Sequence, residues 1–181
     1  MATTFAQMTV EEFERLPESG HKIELNDGAL VEVEMARAEH ELVKGELTSL
    51  LATALLGSGY IVLPEAVNRL DDRVSRVPDL AIWRRSDLKK MNPERTIVGG
   101  PLIAIEVISS ETAEDLDEKI QQYFGAGTAI VWAVYPKTRA IVIERPNGGT
   151  RLSMNDMLQA PEVLPALQIP VAAIFALLDG E

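Results

Sequence analysis

The sequence predicts an α/β domain built on a mixed central β-sheet flanked by helices. Three observations carry this. Two runs, 102–108 and 129–135, are apolar almost throughout and read as strands buried on both faces. A segment of helical period, 115–124, lies between them. Near the N-terminus, Asn26-Asp27-Gly28 separates two alternating runs, the mark of a hairpin whose tight turn needs positive φ angles.

The elements follow in order. Thr9 with Glu12 three residues later is a capping box, and Phe13 and Leu16 give a short apolar stripe, so a helix is expected over 9–16, stopped by Pro17 and Gly20. The hairpin spans 21–33. Residues 39–56 then switch to helical period, with Val43, Leu47, Leu50, Leu51 and Ala54 on one face and Gly57-Ser58-Gly59 closing the helix. Strands are expected at 60–63, more weakly at 67–70, and at 77–83, where Pro78 stands at the start and its missing N–H costs least. A polar loop surrounds Asn92-Pro93. After the apolar strand at 102–108, the helix at 115–124 ends at Gly125 and Gly127. The strand at 129–135 stops at Pro136 and pairs with 140–145 as a hairpin. The tail, from Leu164 to Phe175, ends in a short amphipathic helix.

A chain of 181 residues buries roughly 70% of its unfolded surface and needs no covalent staples. Apolar residues make up 46% and charged residues 25%, which is ordinary for a globular protein. The absence of cysteine excludes disulfides, zinc-thiolate sites, iron–sulfur clusters and thiol nucleophiles. No apolar run nears the ~18 residues that span a bilayer. The opening MATTFAQMTVEEF carries neither a basic nor an apolar signal region. A cytoplasmic protein is the expectation.

Seventeen basic against 28 acidic residues leave a net charge of −11, which argues against a broad DNA-coating surface. It leaves room for an enzyme whose carboxylates bind cations that then meet phosphate. The first quarter is acidic, including Glu18 and Glu34, while 69–95 gathers Arg73, Arg76, Arg84, Arg85, Lys89, Lys90 and Arg95 into a candidate basic patch.

Two carboxylates stand where burial is expensive. Glu106 lies inside the most hydrophobic strand of the chain, where an ionised carboxylate costs several kcal/mol unless paired or bound to metal. Asp79 follows Pro78 at the head of another apolar strand. If the two strands are neighbours, both carboxylates enter one pocket suited to a hard cation such as Mg²⁺. Lys119, on the next helix, is the natural third member, able to stabilise developing negative charge. The plainer reading of Lys119 is a surface ion pair with Asp115 at i,i+4 spacing. His40 sits in the first turn of its helix beside Val43 and Leu47, as a packing histidine would. With His21 the only other histidine, a multi-histidine metal cluster within one chain is excluded. Neither a Gly-x-Ser-x-Gly elbow nor a Gly-rich phosphate loop occurs.

The succession KIELNDGALV, a helix with His40, VPDLAIW, LIAIEVISS, DLDEKIQQYFGAG and VWAVYP resembles the Uma family of restriction-endonuclease-like proteins, part of the PD-(D/E)XK nuclease superfamily. The resemblance runs over about 9–175. It implies a restriction-endonuclease-like core in one domain over 1–181, with 1–36 as a helix-and-hairpin extension, 37–146 as the core and 147–181 as a tail. It implies a DNA substrate, Mg²⁺ or Mn²⁺ held by Asp79 and Glu106, and Lys119 as the catalytic lysine. Glu24, in the hairpin, matches an acidic family position that would complete the site, with His40 in support. Arg73, Arg76, Arg84 and Arg85 would steer the DNA backbone, and a homodimer would cut both strands. Two departures stand out. The superfamily lysine belongs two residues after Glu106, where this chain has Ile108, so its role passes to Lys119. Tyr135 replaces the Asp that commonly precedes the later strand's Pro. The alternative is a nuclease-fold binding or regulatory module without turnover. A hydrolase of a small phosphorylated substrate is a third reading.

Overall fold

The computed structural model describes residues 7–17, 21–33, 37–88, 91 and 96–178. Glu18, Gly20, Glu34, Lys89, Lys90, the Asn92-Pro93 loop and Arg95 lie outside the described residues.

The chain opens with α1 (Val10–Phe13), one turn held by the Thr9–Glu12 capping box; it is shorter than the periodicity predicts, and only Val10 is buried. The hairpin β1 (Ile23–Asn26) and β2 (Ala29–Glu32) pairs across an Asp27-Gly28 turn with φ of 46° and 80°. Glycine is required at 28, because a Cβ there would lie 2.6 Å from that of Gln7. Next come α2 (Ala38–Ala54), β3 (Tyr60–Pro64), β4 (Asn68–Arg69), β5 (Ser75–Arg76) and β6 (Leu80–Arg84). The last begins later than expected: Pro78 and Asp79 precede the strand rather than form its first residues. On α2, Val43, Leu47 and Leu51 are buried as expected, but Ala54 is exposed and Leu55 closes the face.

A turn of helix, α3 (Arg85–Leu88), and a short strand, β7 (Ile97–Val98), lead to β8 (Ile103–Val107), whose five residues are all buried. Helix α4 (Ala113–Gly125) then carries the chain to β9 (Ile130–Tyr135), which lies parallel to β8. This β8–α4–β9 crossover is the unit that parallel pairing demands. The strand β10 (Ala140–Arg145) returns antiparallel, followed by β11 (Gly148–Leu152), β12 (Met157–Ala160), β13 (Leu164–Pro170) and α5 (Val171–Ile174).

The central sheet is mixed and six-stranded, in the order β11-β10-β9-β8-β6-β3. A smaller sheet, β2-β1-β5-β4-β7, joins the N-terminal hairpin to strands from the middle of the chain, and β12-β13 form a third. Side chains of β8 alternate across the central sheet. Ile103, Ile105 and Val107 face a large core shared with α2, Trp132 and the tail residues Leu158, Leu167, Ile169 and Phe175. Ala104 faces the other way, onto Leu116, Ile120 and Tyr123 of α4. Glu106 shares that second face by the two-residue period. A carboxylate in a core strand is therefore aimed at α4.

Helix α4 owes its start to Thr112, whose hydroxyl accepts the Asp115 N–H while Asp115 caps it in return. Thr112→Ala should cost about 1 kcal/mol of stability, read by chemical denaturation, because the Asp115 N–H loses its acceptor and the Asp115 carboxylate loses the hydroxyl it bonds.

Candidate active site

The register of β6 against β8 pairs Leu80 with Ile105, so Asp79, just before β6, falls opposite Glu106 of β8. Both are buried. They stand at the floor of a pocket of about 480 Å³, walled by the hairpin, the start of α2 and the N-terminal half of α4.

Each carboxylate is held on one side by fixed donors. Asp79 Oδ2 accepts the Val107 N–H at 2.8 Å and lies 3.1 Å from His40 Nε2. Its Oδ1 faces Lys22 Nζ at 3.5 Å. Burial works to raise the Asp79 pKa, but the His40 hydrogen bond, Lys22 and the Val107 amide outweigh it, and the group stays below its usual value. Burial likewise works to lower the His40 pKa, and Asp79 outweighs it, so the imidazole is held above its ordinary range. Glu106 Oε1 accepts the Tyr123 hydroxyl at 2.7 Å, while Oε2 faces Lys119 Nζ at 3.9 Å. Burial pushes the Glu106 carboxyl up to about 8; Lys119 opposes this, and the charges of Asp79, Glu111 and Glu24 add to it.

Lys119 is nearly buried and ringed by acids, with Glu111 at 2.6 Å, Glu24 at 3.7 Å and Glu106 at 3.9 Å. Those charges outweigh burial and keep the ammonium protonated. The expected surface pair with Asp115 is not what holds it: Asp115 caps the helix instead. Glu24 is an anchor rather than an open ligand. Its Oε1 accepts the Val77 N–H at 2.9 Å, and its Oε2 takes the Arg76 guanidinium at 3.0 Å.

The sequence expectations thus converge for five residues: Asp79, Glu106, Lys119, Glu24 and His40 all line the one pocket. The arginines divide. Arg76 is 3% exposed and tied to Glu24 and to Gln122 at 2.8 Å, so it organises the site and cannot track a DNA backbone from the surface. Arg73 bonds Gln7, away from the pocket lining. Arg84 and Arg85 stand at the far end of β6, about 16 Å along the strand from Asp79, with Arg85 bonded to the Tyr60 carbonyl. The sequence alone does not single out Lys22, Glu111 or Tyr123, all of which the structure brings to the site. Tyr123 follows Lys119 by four residues, the spacing that puts both on one strip of α4; that was the available signal.

The donor set suits a hard divalent cation. Two carboxyl groups line the pocket, and burial and the acids around Glu106 oppose its ionisation, which a bound cation would favour. Among the described residues no three His, Asp or Glu side chains form a full protein cage. A hard ion held by one or two carboxylates, with water and phosphate oxygens completing its shell, matches that arrangement.

Comparison with known proteins bears on the family and the fold. Residues 10–172 match the family model Uma2, described as "Putative restriction endonuclease". The structure is similar to the crystal structure of a "putative nuclease belonging to DUF820" from Anabaena variabilis ATCC 29413, with a TM-score of 0.82 and 19% identity over 93% of this chain and 98% of that one. The comparison with curated proteins gives no match. The fold is accordingly the mixed α/β fold of that neighbour. With nearly its whole length matched, the chain belongs to the Uma2 family.

Proposed function

We propose that this protein is a metal-dependent endonuclease hydrolysing DNA phosphodiester bonds, with Mg²⁺ or Mn²⁺ held by Asp79 and Glu106. The observation that carries this is the convergence of two buried carboxylates and a nearly buried lysine at one pocket floor. A divalent ion there would acidify a bound water and neutralise the phosphate. The protein's own residues supply the rest. Val107 N–H and His40 hold Asp79 in one orientation, and Tyr123 does the same for Glu106. Lys119, kept cationic by its acidic neighbours, stabilises the extra negative charge at phosphorus in the transition state. Cutting both strands of a duplex would use two such sites, one from each chain of a symmetric dimer.

A second reading, a binding or regulatory module without turnover, draws support from the pocket mouth, where Glu32, Glu41, Glu65, Glu118 and Asp115 repel a polyanion. Calorimetric titration with Mn²⁺ tests the metal site without knowing the substrate. The wild type should bind the ion, and Asp79→Asn and Glu106→Gln should each abolish measurable binding. Absence of binding in the wild type at millimolar Mn²⁺, with or without DNA, would favour the module.

A further inference from the structure

The pocket holds several cations, and most of them are locked. Arg76 is buried between Glu24 and Gln122. Lys119 is ringed by Glu111, Glu24 and Glu106. His40 lies between Asp79 and Glu41. Lys22 differs. It precedes β1 on the hairpin wall, its side chain is 25% exposed, and its described partner is Asp79 Oδ1 at 3.5 Å, at the long edge of a hydrogen bond. That oxygen is the one not engaged by Val107 or His40, which leaves it the Asp79 oxygen available to another cation.

We propose that Lys22 is a stand-in cation. In the metal-free protein it neutralises the open oxygen of Asp79, and on metal binding it swings to a non-bridging oxygen of the substrate phosphate. The proposal rests on the nuclease reading above and adds a substrate-contacting residue to it. The physical argument is competition followed by reuse. Two cations on one carboxylate repel, so the metal displaces the one on the flexible four-carbon stem. An ammonium is a compact, mobile point charge suited to that exchange. The displaced ammonium remains on the pocket wall, where a phosphate seated on the metal would compete for it with the rim carboxylates.

This gives effects of opposite sign. Lys22→Met should bind Mn²⁺ at least about fivefold more tightly, because the metal no longer has to displace an ammonium held by one unit-charge attraction at about 4 Å in water. The same variant should bind a fluorescein-labelled 20-base-pair DNA more weakly in Ca²⁺ buffer, with the slope of log affinity against log salt falling by about one, the loss of one phosphate contact. Lys22→Arg, which keeps the charge, should stay near wild type in both measurements.

Lys22 acting only as a support for the metal ligands would weaken Mn²⁺ binding in Lys22→Met, and that result overturns the proposal. So does unchanged Mn²⁺ affinity, or tighter Mn²⁺ binding with an unchanged salt slope. The parent reading fails separately, through a wild type that binds no Mn²⁺ or a Glu106→Gln variant that binds it normally, and then the stand-in role falls with it.

Discussion

Supercoiled plasmid incubated with Mn²⁺ is expected to be cut by the wild-type protein and, on the order of a thousandfold more slowly, by Asp79→Asn. Asn preserves the side-chain shape and can still accept the Val107 N–H that Asp79 Oδ2 takes at 2.8 Å. What it loses is the charge that binds the metal. Lys119→Met should lose one to two orders of magnitude in rate while retaining Mn²⁺ binding, because Lys119 faces Glu106 at 3.9 Å and acts on charge that appears in the transition state. That split between binding and turnover separates a catalytic lysine from one that merely balances charge. Thermal unfolding of each variant shows whether the fold is kept. A wild type that binds Mn²⁺ and cuts no DNA, single- or double-stranded, would point to the binding module. Equal cutting by wild type and Asp79→Asn would place the activity outside this pocket.

The fold class and the side chains that meet in the pocket are both legible in the sequence, for physical reasons. Glu106 announced itself because a carboxylate inside an otherwise apolar strand needs a reason to be there, and β8 is buried along its whole length. Asp79 followed from the adjacency of two strands. Charge alone misled in the case of Arg76, since a run rich in arginine reads as solvated surface, whereas Arg76 crosses from β5 to anchor Glu24. Tyr123 was invisible for the opposite reason: an aromatic on the apolar face of a helix reads as packing, and only the third dimension shows its hydroxyl meeting Glu106.

The tail illustrates the limit for strands. Gly148 and Gly149 open β11, and Pro165 and Pro170 sit in β13, all residues disfavoured in a sheet interior. They are tolerated because β11 is the edge of the central sheet and β13 pairs on one side only, in a two-stranded sheet. Local preference carries no trace of which edge a strand will occupy. The residues that bury themselves from this tail, Leu158, Ile169 and Phe175 among them, pack in the same core as α2, so long-range burial decided what propensity could not.

Glu106→Gln is expected to remove metal binding and yet to make the metal-free protein more stable, by roughly 2–4 kcal/mol at pH 8 in urea or guanidinium titrations. The carboxyl of Glu106 ionises near 4.5 in an unfolded chain and is pushed up to about 8 in the fold, first by burial and then by Asp79, Glu111 and Glu24. Below pH 4.5 the group is protonated in both states and contributes no pH-dependent penalty. Between 4.5 and 8 the unfolded chain sheds its proton while the folded one keeps it, so wild-type stability falls across that window through this group and levels off above it. Glutamine has no such proton, and Glu106→Gln should lack that part of the decline. The opposing cost is the loss of a partner for Lys119, and breaking a buried pair is usually destabilising. Here Lys119 keeps Glu111 at 2.6 Å and Glu24 at 3.7 Å, and Gln Oε1 can still accept the Tyr123 hydroxyl, so little is orphaned. Saturating Mn²⁺ should then close most or all of that gap by stabilising the wild type alone, by about 3 kcal/mol at a hundredfold excess over Kd. A Glu106→Gln variant less stable than wild type at pH 8 without metal would mean that Glu106 is a structural counter-ion for Lys119. The pattern described here, a carboxylate that destabilises the apoprotein and is relieved by a cation, is what a metal ligand costs a fold when the metal is away.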